Sequence, residues 1–260
     1  MSILLNGDCL ELMKDLDDES IDLIFCDLPY GQTSCKWDCC IDLDVFWKEV
    51  MRIKKLNTPI FMTTTTKFGV SLISSAPKKC PFRYDIVWVK SALAGFLSAK
   101  KMPMRKHEMV YVFYEKLPFY DLSSHQHKFM KEETKQIIKE ETGGATGQET
   151  YETCDKPDRK TMYGNMKIYE PKRSGEPRYQ PALPTSMLEI KSSKGKHSTQ
   201  KPVALMEWIL KYYSKEGDVI LDPTMGSGST GVACKNMNRN FIGFEMNDEI
   251  YQFACERLNF

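Results

Sequence analysis

Two hydrophobic periods alternate along the first 115 residues. Apolar and β-branched runs, "SILLN" at 2–6, "IDLIF" at 21–25, "PIFMTTT" at 59–65, "YDIVWVK" at 84–90 and "EMVYVFYE" at 108–115, have the pattern of buried strands. Between them, "CLELMKDL" at 9–16, Val45 to Lys55 and "FGVSLISS" at 68–75 place apolar residues three and four apart, as on one face of a helix. The alternation stops at Lys116 and resumes near Lys201. There "KPVALMEWILKYYS" predicts a helix with Pro202 in its first turn, "DVILD" a strand, "GSTGVACKNM" a helix, "NFIGFEM" a strand and "DEIYQFACERL" a closing helix. This order predicts an α/β fold, a mostly parallel sheet with helices on both faces.

The interruption predicts an insertion. Residues 1–115 and 196–260 read as two halves of one domain and 116–195 as a segment placed between them, with little core of its own. It holds a short charged helix candidate, "KEETKQIIKEE", and a polar linker, "TGGATGQET". Basic residues then interleave with Tyr163, Tyr169 and Tyr179. Net charge is +1 over the chain, but Lys100 to Lys201 carries 20 Lys and Arg against 14 Asp and Glu, and the remainder 16 against 21. A basic middle is the footprint of a polyanion partner, and a solvated, salt-bridged surface gives the same count.

The stretch "VILDPTMGSGSTGVA" sets Gly226, Gly228 and Gly231 at the spacing G-x-G-x-x-G, after a strand and opening a helix. Glycines there let the backbone turn sharply and approach a ligand that the helix-start N–H groups face. Nineteen residues after Gly226, Glu245 ends the next strand, where a carboxylate can accept from two ribose hydroxyls. A tight structural turn uses the same glycines. The loop comes late, with 29 residues after Gly231, so the rest of the sheet must come from the N-terminal half. Asp222, just before the loop, repels a pyrophosphate but can bind an ammonium group. That combination suits adenosine carrying an amino acid, as in S-adenosylmethionine, better than a nicotinamide dinucleotide.

With "DLPY" at 27–30, "HSTQKP" at 197–202, "DPTMGSGST" at 222–230 and "NGDCLELMKDL" at 6–16, the chain resembles the β-group of DNA amino-methyltransferases. The resemblance covers both halves and leaves out the middle. It implies a Rossmann-like S-adenosylmethionine-dependent fold, circularly permuted, with the inserted segment as target-recognition region and double-stranded DNA as substrate. For the cofactor it implies Asp8 near the adenine ring, Asp222 on the amino group and Glu245 on the ribose. Gly226, Gly228, Ser229 and Thr230 would wrap the methionine part, with Thr199, Gln200 and Lys201 near its carboxylate. Two positions depart from the family pattern: Thr224 stands where phenylalanine is usual, and Leu28 where the first proline of D-P-P-Y stands.

The tetrapeptide suits the chemistry. An exocyclic amino nitrogen is a poor nucleophile because its lone pair is delocalised into the ring, and it gains positive charge as it attacks a methyl group. Acceptors aimed at its two N–H bonds stabilise that charge. The Asp27 carboxylate would take one and the Leu28 carbonyl the other, with Pro29 fixing the turn. Tyr30 would stack on a base flipped out of the duplex, which is worth about 1–3 kcal/mol per base.

Aspartate in the first position is the family's tendency for adenine N6 over cytosine N4. The alternatives are a cytosine N4 enzyme, a nicotinamide-dependent oxidoreductase and a DNA-binding protein without activity. Relatives supply two analogies, a homodimer and a restriction endonuclease partner. Nine cysteines, an odd number, and a strand-like N-terminus predict reduced thiols and an intracellular, cytoplasmic protein. No metal site is predicted: Cys35, Cys39 and Cys40 have no second pair at zinc spacing. No apolar run approaches the roughly 20 residues of a membrane span.

Overall fold

The apolar runs become the central strands of one sheet. The computed structural model describes residues 2–29, 41–127, 179–192 and 200–260. Its main sheet has eight strands among the described residues: β1 (Ser2–Asn6), β2 (Leu23–Cys26), β3 (Ile60–Thr64), β4 (Phe82–Ala94), β5 (Arg105–Phe113), β8 (Met187–Glu189), β9 (Val219–Asp222) and β10 (Asn240–Glu245). Their order in space is β1-β10-β9-β2-β3-β5-β4-β8. The strands from β1 to β3 run parallel, while β5 is antiparallel to β3 and to β4.

β2 and β3 are buried at every position, which is why they read as continuous apolar runs: helices cover both faces. The helices are α1 (Cys9–Leu12), α2 (Leu43–Ile53), α3 (Thr66–Ser75), α4 (Val203–Tyr213), α5 (Ser229–Asn236) and α6 (Asp248–Leu258). Contacts group α1, α2 and α3 together and α4, α5 and α6 together. Right-handed crossovers explain this, since β2–α2–β3 and β9–α5–β10 advance in opposite directions across the sheet and lay their helices on opposite faces.

Side-chain caps set several helix starts. Asp42 accepts from the N–H groups of Asp44 and Val45, Thr65 from Phe68 and Asn247 from Ile250. From its cap, α2 turns Phe46, Trp47, Val50 and Ile53 into the core at helical spacing.

Strands β9 and β2 are neighbours yet lie almost 200 residues apart in sequence, with Leu23↔Ile220 and Ile24↔Leu221 paired. Chain order reverses between them, and such a switch point leaves a crevice at the strands' carboxyl ends. Strand β1, first in the chain, pairs with β10, the last, through Ser2↔Phe241 to Asn6↔Glu245. Residues Met1–Tyr120 and Thr185–Phe260 form one compact unit. Asp121–Pro184 form a second, which lies within the 116–195 predicted for the insertion. In the second unit, β6 (Gln126–His127) pairs with β7 (Tyr179–Gln180), and His125 Nδ1 lies 2.9 Å from the Pro181 carbonyl. The predicted helix "KEETKQIIKEE", the linker, Tyr163 and Tyr169 lie outside the described residues, as do Cys35, Cys39 and Cys40. No helix among the described residues is long and apolar enough to cross a membrane.

Candidate active site

The crevice at the β9/β2 switch point is a pocket. It encloses about 500 Å³ including its open mouth. Asp27, Gln200, Lys201, Asp222, Thr224 and Ser229 supply polar groups, and Phe25, Met225 and Ile250 supply apolar wall.

On the β9 side the loop holds itself. Gly226 and Gly228 are left-handed, at φ 52° and 75°, a conformation that costs other residues a Cβ clash. Gly228 donates to the Met225 carbonyl at 2.9 Å, and α5 starts at the next residue. A Cβ on Gly231 would come within 2.7 Å of the Phe241 ring, so this glycine lets α5 lie close against β10. The Gly226 N–H donates to Glu245 Oε2 at 3.1 Å and that of Asn247 to Oε1 at 2.8 Å. Arg257 of α6 donates to the Ser227 carbonyl at 2.9 Å and to the Ser229 hydroxyl at 3.2 Å, tying the loop from outside.

Asp222 is 2% exposed, accepts from the Thr230 hydroxyl at 2.5 Å and from the Thr224 N–H at 3.2 Å. Burial pushes its carboxyl up to about 7, against those two hydrogen bonds; Asp27 and Glu245 add to the rise.

On the β2 side the cluster comes from four separate segments. Asp27 follows β2, and its Oδ1 accepts from the hydroxyl of Thr63 on β3. Its Oδ2 accepts from Lys201 Nζ at 2.5 Å. That ammonium also lies 3.6 Å from Glu108 Oε2 on β5, and Glu108 Oε1 accepts from Lys90 of β4 at 2.7 Å. Burial alone would lower the Lys201 pKa, but Asp27 and Glu108 outweigh it and hold the ammonium above its ordinary value. The two sides meet at Thr224, whose hydroxyl accepts from the Asp27 N–H at 3.2 Å.

The predicted site residues divide accordingly. Asp27, Gln200, Lys201, Asp222, Gly226, Ser229 and Thr230 line one pocket. Glu245 supports the loop from behind, and Asp8, two residues past β1, caps α1 by accepting from the Leu10 N–H at 2.9 Å. Gly228 opens α5 without lining the pocket, while Leu28 is buried among core residues and Pro29 follows it. Tyr30 and Thr199 lie outside the described residues. Thr63, Glu108 and Arg257 were not singled out from the sequence. Only their places in predicted elements were legible: Thr63 in "PIFMTTT", Glu108 in "EMVYVFYE" and Arg257 in the closing helix.

Known proteins resemble the chain in sequence and in fold. A family described as "DNA methylase" matches residues 21–256. The type II methyltransferase M.HinfI of Haemophilus influenzae is 26% identical, over 99% of this chain and 68% of its own length. The type II methyltransferase M2.LlaDCHI of Lactococcus lactis subsp. cremoris is 48% identical over a shorter segment, 29% of each chain. Two solved structures share the fold. The M1.HpyAVI–SAM complex has a TM-score of 0.62 at 22% identity, covering 99% of this chain and 100% of its own. The PvuII cytosine-N4-specific DNA methyltransferase has 0.66 at 15%, covering 98% and 86%.

Proposed function

Because this chain belongs to the DNA methylase family, whose pattern spans residues 21–256, we propose that it methylates the N6 amino group of adenine in double-stranded DNA with S-adenosylmethionine. The observation that carries the reading is the meeting at one crevice of Asp27, pinned by Thr63 and Lys201, with the Asp222–Thr230 loop. Neither half alone would suggest group transfer.

The pocket suits the cofactor. Asp222 is a carboxylate with almost no water contact, whose ionised form gains from a cationic ligand group such as an ammonium. A Cβ on Gly226 would meet nothing within 4 Å, so the loop's inner face is open to a ligand, and Phe25 and Ile250 offer apolar wall for a ring. Once bound, S-adenosylmethionine supplies an electrophilic methyl group on a sulfonium. Asp222 would hold its ammonium, Glu245 its ribose hydroxyls, and Gly226, Gly228, Ser229 and Thr230 its methionine part, with Asp8 and Thr199 completing the cofactor side.

Asp27 and the Leu28 carbonyl would accept the two N–H bonds of the target amino group, and Asp27 would take the proton it gives up. Pro29 would fix that carbonyl and Tyr30 would stack on the flipped base. Thr63 and Lys201 act through Asp27 by fixing its two oxygens before substrate arrives, which removes reorganisation from the reacting step. The segment 116–195 would read the recognition sequence, in a cytoplasmic enzyme that works alone or beside a restriction endonuclease, as a monomer or homodimer.

The test is transfer of labelled methyl to unmethylated plasmid followed by nucleoside analysis. N6-methyladenine is expected; N4-methylcytosine would overturn the choice of base, and no transfer would overturn the activity.

A further inference from the structure

The loop between β4 and β5 projects from the end of the sheet that carries Asp27. Strand β5 meets the carboxyl end of β3 at Thr64↔Met109, then pairs on with β4 through Val89↔His107 to Ala94↔Arg105. From Met109 back to Arg105, at about 3.3 Å per residue, the hairpin extends roughly 13 Å past β3 before its tip begins.

The tip is built, not loose. A turn at Gly95 leads into a 3-10 turn, Phe96–Ser98, closed by Ser98 N–H to the Gly95 carbonyl at 3.0 Å and Met102 N–H to the Ser98 carbonyl at 3.0 Å. It nevertheless exposes what a stable fold usually covers: Phe96 is 80% exposed and Leu97 100%, with Leu93 and Met102 beside them. From Ser91 to Lys106 there are four cations, Lys100, Lys101, Arg105 and Lys106, and no Asp or Glu.

We propose that this hairpin is a wedge for duplex DNA. Lys100, Lys101 and Lys106 hold backbone phosphates, and Phe96 and Leu97 enter the base stack next to the nucleotide presented to Asp27. Apolar side chains inserted between base steps unstack them, and a flipped base leaves a gap that such side chains fill. Charge selects this partner over a second copy of the chain, because a symmetric contact through the tip would set four cations against four. The hairpin root is tied to the reacting side through Glu108, which contacts both Lys90 and Lys201. The proposal rests on the DNA-methylating reading and deepens it.

The test compares the full chain with its Phe96→Ser/Leu97→Ser and Lys100→Gln/Lys101→Gln variants. Phe96→Ser/Leu97→Ser is expected to methylate plasmid at least about tenfold more slowly, since a lost wedge leaves the unstacking unassisted. S-adenosylmethionine affinity and molecular mass by light scattering stay unchanged. Wild type, bound to relaxed plasmid during topoisomerase closure, shifts the topoisomers towards unwinding, and this variant does not. Lys100→Gln/Lys101→Gln makes the log–log salt dependence of DNA binding shallower by about 2. The wedge is overturned if Phe96→Ser/Leu97→Ser methylates plasmid at the wild-type rate, if its mass halves, or if wild type produces no topoisomer shift. If wild type shifts topoisomers, the variant does not, and neither transfers methyl, the wedge stands and the methylating reading falls.

Discussion

The two walls of the crevice are made in different ways. On the β9 side, 24 residues from Asp222 to Glu245 contain almost the whole device, and its bonds are internal: Thr230 to Asp222, Gly226 to Glu245. On the β2 side, Asp27, Thr63, Glu108 and Lys201 come from four distant segments and touch only in the folded sheet. A ligand cradle made of backbone can be encoded in one stretch. A charge cluster that must hold a carboxylate in one orientation needs partners from several directions, which one stretch does not provide.

The two walls should therefore fail differently. Asp27→Ala should cost at least about a thousandfold in methyl transfer, because the proposed mechanism makes it the acceptor for the developing charge, with cofactor affinity within threefold by calorimetry. A parallel loss of cofactor binding would erase the distinction between the walls.

Asp222→Asn should weaken S-adenosylmethionine binding by about a hundredfold at pH 8, since it removes the buried charge proposed to face the cofactor's ammonium. It should also flatten a pH dependence. Folded Asp222, pushed up from 3.8 to about 7, keeps a proton that the unfolded chain loses near pH 4. Its contribution to stability therefore falls as pH rises from about 4 to 7, while affinity for a cationic ligand grows as pH passes through 7. Melting temperatures and titrations at pH 6 and 8 read both effects.

Lys201→Met should lower turnover by about thirtyfold with cofactor affinity within threefold, because it strips Asp27 of a largely buried partner. The reverse pattern, intact turnover at saturating cofactor, would move Lys201 to the cofactor wall where the family resemblance put it. Thr224→Val, which removes the acceptor of the Asp27 N–H where the walls join, should cost about fivefold in turnover, the worth of one hydrogen bond.

Much of the fold was legible because buried parallel strands advertise themselves as apolar runs. The runs at 21–25, 59–65 and 218–222 became β2, β3 and β9 within one or two residues. β8 escaped, because three residues paired with β4 at the sheet's edge leave no periodic trace. β4 and β5 run further than "YDIVWVK" and "EMVYVFYE" suggested, because the added residues belong to an exposed hairpin whose pairing is backbone-driven. In the site, the departures at 224 and 28 became specific: the Thr224 hydroxyl joins the walls, and the Leu28 side chain lies in the core.

By itself the sequence determined the α/β order and the glycine loop with its flanking carboxylates, and it placed a D-x-P-Y tetrapeptide directly after a strand, because each of these is local and is set by backbone conformation and burial period. Only the tertiary structure decided that β9 would lie beside β2, that Lys201 would seat its ammonium on Asp27, that Thr63 would bond the other oxygen, and that Phe96 and Leu97 would stand out from the reacting end of the sheet. Those outcomes depend on strand order and register, and contacts between segments tens to hundreds of residues apart leave no mark on the period of any one of them.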